Sequence, residues 1–97
     1  MLDLNDLTAD DFAPCIGQDF IITSLDRQVH LTLIEVKNLG AGQRKKGAFS
    51  LLWQGPPEPA LVQATYTVSH ATLGRCEMFC VPVALTDAGY QYEAVFT

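Results

Sequence analysis

Residues 48–83 read AFSLLWQGPPEPALVQATYTVSHATLGRCEMFCVPV, and this stretch decides the fold. Ala48 to Gln54 is rich in large apolar and aromatic side chains and predicts a strand. Gly55-Pro56-Pro57-Glu58-Pro59 ends it, because three prolines carry no N–H to donate to a ladder. Thr65 to His70 then alternates, with Tyr66 and Val68 set against Thr65, Thr67 and Ser69, as a half-buried strand does. Tyr66 and His70 are four apart and share a face. Leu73-Gly74 marks a turn in which Gly74 is expected to take a positive φ and return the chain. Arg75 to Val83 is the third run, and Pro82 near its end points to a sheet edge or a bulge.

The flanks extend the pattern. Phe20 to Leu25 predicts a strand, Asp26-Arg27-Gln28 a tight turn, and Val29 to Val36 its hairpin partner. Strict alternation puts His30, Thr32, Ile34 and Val36 on one face of that partner and Val29, Leu31, Leu33 and Glu35 on the other. Asn38 to Gly47 is a glycine-rich, basic loop. Asp87-Ala88-Gly89 turns into a last strand, Tyr90 to Phe96. Ahead of the strands, Thr8 can cap a short helix whose first turn holds Asp10 and Asp11, the carboxylates that a helix N-terminus favours. Leu7 and Phe12 are spaced as a hydrophobic staple across that cap. Pro14 and Gly17 stop the helix, and Leu4, Leu7, Phe12 and Ile16 are expected to plug one end of a core.

The pattern predicts an all-β domain over residues 1–97, with residues 1–18 as a helical cap and 19–97 as the β body. Six short strands joined by links too short for a helical crossover indicate an antiparallel meander. Such a sheet must hide two edges, which predicts closure into a small barrel or a barrel-like sandwich.

Composition limits the function. The chain is 48% hydrophobic and 18% charged, globular and low in charge, which leaves room for an apolar face toward a partner. The net charge of -5 repels phosphate backbones and argues against general nucleic-acid binding. No apolar run approaches the roughly 20 residues that span a bilayer. The acidic N-terminus is unlike a signal peptide, so a cytoplasmic location is the expectation.

Chemistry is hard to find. Gly42-Gln43-Arg44-Lys45-Lys46-Gly47 imitates the glycine spacing of a phosphate loop. Ala48-Phe49 stands where Lys and Ser or Thr are required, and a strand follows instead of a helix. Cys15, Cys76 and Cys80 read as buried free thiols; Cys76 and Cys80 lie about 13 Å apart along a strand, too far to bond. They also lack the paired spacing and fourth ligand of a zinc site. Ser69 and His70 are neighbours on a strand and point to opposite faces, so no nucleophile–base pair forms there. His30 reads as a structural or surface residue. Glu77 and Glu93 fall on strands expected to pair and are candidates for a shared acidic patch. No catalytic, cofactor or metal site is predicted. Trp53 beside Gly55-Pro56-Pro57, and the Tyr66/His70 face, remain as the candidate binding surface.

These residues carry a resemblance. Leu7-Thr8 with Asp11-Phe12, Pro14 and Gly17; Phe49 to Leu52 with Gly55-Pro56; Tyr66 with His70, Leu73 and Gly74; Phe79 with Val81-Pro82-Val83; and Tyr92 to Phe96 form a pattern. It resembles an uncharacterised family of small bacterial domains of unknown function, DUF6916, across nearly the whole chain, departing at Thr97, where Asn is expected. The resemblance implies a compact β domain without known activity, and an accessory or assembly role near phage-tail-like or tail-collar proteins. The expected function is therefore a non-enzymatic structural or protein-interaction module, with a protein partner or self-association. The alternative is a small-ligand-binding barrel with a pocket between the Trp53 turn and the Tyr66/His70 face.

Overall fold

The computed structural model describes residues 7–40, 42 and 47–97. Leu4, Asp3 and Asp6, and the basic tip Arg44, Lys45 and Lys46, lie outside the described residues. In chain order the elements are α1 (Ala9–Phe12), a 3-10 turn (Ala13–Cys15), β1 (Asp19–Ile22), β2 (Val29–Gly40), β3 (Ala48–Gln54), β4 (Ala64–His70), β5 (Gly74–Thr86) and β6 (Gly89–Phe96). The six strands pair antiparallel in the order β1-β2-β3-β6-β5-β4, and β4 returns to β1 to close the barrel.

That order corrects the predicted meander in one place. β3 pairs with β2 and β6, whereas β4 pairs with β5 and β1. The barrel is two three-stranded meanders joined by a link over residues 55–63. The prolines of this link deny it ladder donors, so it leaves β3 and crosses to the far edge. It is pinned as it goes. Gly55 N–H donates to the Tyr90 carbonyl at 2.8 Å, Tyr90 N–H to the Pro56 carbonyl at 3.4 Å, and Leu61 N–H to the Tyr92 hydroxyl at 2.9 Å. The Glu58–Pro59 peptide is cis.

Alternation fills the interior. Phe20, Ile22, Leu31, Leu33, Phe49, Leu51, Trp53, Val68, Met78 and Tyr92 are all nearly or fully buried. Each large side chain removed from water contributes about 1.5–3 kcal/mol. The helix closes one end as expected. Thr8 and Asp11 form a capping box, with Thr8 N–H donating to Asp11 Oδ2 at 2.8 Å and Asp11 N–H to Thr8 Oγ1 at 3.3 Å. Leu7 and Phe12, on either side of the cap, are both buried, and the Phe12 ring lies 5.8 Å from Phe49 and 6.2 Å from Phe96. Ile16 is not part of this plug: it is 48% exposed, and Cys15 is buried in its stead. The 3-10 turn explains the exchange, since three residues per turn bring Cys15 under Phe12 and rotate Ile16 outward.

Two bulges complete the shape. The β2–β3 register shifts between Leu33 and Glu35, so Ile34 is the extra residue and the parity of β2 inverts beyond it. Glu35 therefore faces solvent and Val36 packs on the core, opposite to strict alternation. In β5 the shift falls between Pro82 and Ala84, the bulge that Pro82 signals. Gly74 holds φ +90° at the turn into β5, as expected.

Candidate binding surfaces

The expected surface of Trp53, Tyr66 and His70 is corrected: their exposures are 0%, 5% and 7%. Trp53 shares the parity of Phe49 and Leu51 on β3, and His70 that of Tyr66 and Val68 on β4, so all three point into the barrel. The Trp53 indole meets Phe20 edge-on at 4.7 Å, and its Nε1 has no hydrogen-bond partner among the described residues. The Tyr66 hydroxyl donates to the Val62 carbonyl.

His70 organises the turn after β4. Its Nδ1 accepts from the N–H groups of Thr72 and Leu73, both at 3.1 Å. The ring proton therefore sits on Nε2, which donates to Gln18 Oε1 at 2.7 Å. Its ring also lies 4.4 Å from Phe20. One imidazole thus ties the β4–β5 turn to the chain entering β1. His70→Asn keeps an acceptor for the turn but loses the bond to Gln18 and the contact with Phe20. It is expected to cost about 1–2 kcal/mol, and His70→Ala about 3 kcal/mol, in urea unfolding.

The other ionisable groups do not converge. Glu93 pairs with Val81, four residues along β5 from Glu77, so the two carboxylates sit about 13 Å apart along the strand and share no patch. Cys15, Cys76 and Cys80 are free and buried. Burial pushes the Cys76 thiol up to about 11 and the Cys80 thiol up to about 12, which keeps both protonated and unreactive near neutral pH. Among the described residues no group of three or more His, Cys, Asp or Glu side chains is placed to hold a metal ion. No helix among them is long and apolar enough to cross a membrane.

Two outer features stand out. On the outside of β5 and β6, Phe79 is 51% exposed and Val95 49%. They flank the paired residues Cys80 and Ala94 on the same side of the sheet and so lie next to each other. Half-buried Val81 and Leu52 border them, on either side of Glu93. Past the bulge, Val83 is 50% exposed, whereas Leu85, 64% exposed, is paired with Tyr90 and lies on the opposite face of the hairpin from Phe79. The sequence held this signal: in Arg75 to Cys80 the inward parity is Cys-Met-Cys, which leaves Phe79 outward with Arg75 and Glu77.

The second feature is a groove of about 470 Å³ outside the barrel, between the β1–β2 turn and the link after β3. Arg27, Gln28, His30, Thr32, Glu58 and Pro59 are among its walls, and Trp53, Tyr66 and His70 are not. The space expected between the Trp53 turn and the Tyr66/His70 face is instead packed with Phe20, Val68 and Met78.

The family model described as Domain of unknown function (DUF6916) matches residues 7–96. No curated protein and no solved structure matches the chain.

Proposed function

For this chain, which belongs to the DUF6916 family of unknown function, we propose a non-enzymatic protein-interaction module that docks through the outer face of β5 and β6. One observation carries the reading: Phe79 and Val95, each about half-exposed, lie side by side on the outer face of this hairpin, bordered by half-buried Val81 and Leu52. Apolar residues scattered singly over a surface need no explanation, whereas a contiguous run marks a contact site.

The mode of contact follows from the edge. β4 covers β5 only as far as Cys80, so among the described residues Val81 to Thr86 have no strand on that side. Pro82 and the bulge at Val83 blunt this edge against strand addition. A partner meets side chains rather than backbone. This suits a component of a larger assembly, the role that the family resemblance implies.

Co-purification tests the proposal. Tagged wild-type chain and Phe79→Glu are expressed in the native host and their eluates compared. Phe79 is half-exposed, so the variant keeps the fold. A protein, a second copy of the chain included, should elute with wild type and fall at least tenfold with the variant, the effect of losing a central aromatic anchor of about 2 kcal/mol. Identical eluates would overturn the reading.

A further inference from the structure

The groove between the β1–β2 turn and the proline link shares none of its lining residues with the apolar face. Its volume, about 470 Å³, falls within the range of small-ligand sites. Its floor is the outer surface of β2 and β3, where Thr32 is paired with Gln54. That floor is pre-organised. The Thr32 hydroxyl donates to Asp19 Oδ1 at 3.2 Å. Gln54 Nε2 donates to the Gly55 carbonyl at 3.0 Å, and Gln54 Oε1 accepts from Gln91 Nε2 at 3.1 Å. The link wall is equally fixed, through the Gly55 and Tyr90 backbone bonds.

The walls differ from the floor. Arg27 stands on the turn side and Glu58 on the link side, and both line the same groove. Among the described residues no ion pair joins them, and the groove between them is open. His30 and Gln28 add hydrogen-bonding groups, and Pro59 an apolar surface. Arg27 and Glu58 cancel in charge, so a simple anion meets Glu58 and a simple cation meets Arg27. A molecule carrying a carboxylate at one end and an ammonium at the other satisfies both walls.

We propose that this groove binds a short zwitterionic peptide or amino acid, its carboxylate toward Arg27 and its ammonium toward Glu58. Both wall residues are exposed, so each contact is a screened, charge-assisted one and the affinity is modest.

The test is an amide NMR titration of the full chain with dialanine bearing free termini, and with the same dipeptide acetylated and amidated. The free form should shift the amides of Arg27, Gln28, His30, Gly55 and Glu58 in a saturable way, and the blocked form should not. Arg27→Gln and Glu58→Gln should each weaken binding about fivefold, and the double variant more. Both positions are exposed, and unchanged spectra away from the groove verify the fold of each variant. Absence of saturable shifts at tens of millimolar, equal binding of the blocked dipeptide, or unchanged affinity in both variants overturns the proposal. Phe79→Glu should leave this titration unaltered, which separates a failure here from a failure of the docking face.

Discussion

Gly89→Ala is expected to destabilise the domain by roughly 3–5 kcal/mol, a large part of the 5–15 kcal/mol that holds a small domain together. Gly89 opens β6 at φ +132°, a conformation that L side chains rarely adopt. The link after β3 presses directly on it. A Cβ at this position would lie 2.4 Å from the Gly55 carbonyl oxygen, 2.5 Å from the Pro56 carbonyl carbon and 2.6 Å from the Pro57 nitrogen. All three are backbone atoms held by the Gly55–Tyr90 bonds, so no side chain can swing aside. Relief requires that the link lift from the barrel, which removes the crossing that separates the two meanders. Gly40→Ala is the control: φ is +94° there, but nothing lies within 4 Å of the added Cβ. It should cost about 1 kcal/mol, the backbone strain alone. Urea unfolding of the two variants separates close approach from conformational preference.

Alkaline pH is expected to weaken the fold steeply. Desolvation, strengthened at Cys80 by the neighbouring Cys76, raises the thiols in the folded state to about 11 and about 12 from an ordinary value of 9.0. Above pH 9.0 the unfolded chain therefore releases these protons while the folded chain retains them. Stability is complete below that point and falls as pH rises toward the folded values. Each thiol loses at most about 1.4 kcal/mol per pH unit, so from about pH 9 to about pH 10.5 the pair removes roughly 3 kcal/mol. Tyr66 and Tyr92 are shifted upward by the same burial and add to the loss at higher pH. Urea midpoints across this range measure the slope. A Cys76→Ala/Cys80→Ala variant starts lower, because it leaves cavities, but should decline about half as steeply or less. An unchanged slope would contradict the assignment.

Local pattern revealed most of the strands. β3 begins and ends where the run Ala48 to Gln54 does, and β4 and β6 each begin one residue earlier than the pattern predicts. The chain order around the barrel was not legible, because alternation defines a strand and its faces but not a non-consecutive neighbour. Glycine and proline in the link say that β3 ends; only long-range packing says that β6, rather than β4, lies beside it. The parity change after Ile34 was hidden for a similar reason: a bulge adds one residue without a compositional mark. At Pro82 such a mark existed, and the bulge was readable. The site was read least well. Trp53, Tyr66 and His70 are aromatic and imidazole groups near turns, the kind that anchors a partner, yet their parity with Leu51 and Val68 assigns them to the interior. Phe79 carried the opposite information, an aromatic ring in phase with Arg75 and Glu77.

Site-specific cross-linking tests the docking face most directly. A photoreactive side chain replaces Phe79 on β5, or Leu25 in the β1–β2 turn on the other side of the strand order, and the chain is irradiated in its native host. Leu25 is itself 36% exposed and apolar, so it controls for chance contact. Discrete protein adducts from position 79, with none from position 25, are the predicted result. No adduct at 79, or the same adducts from both positions, would contradict the β5–β6 face as the surface through which this domain works.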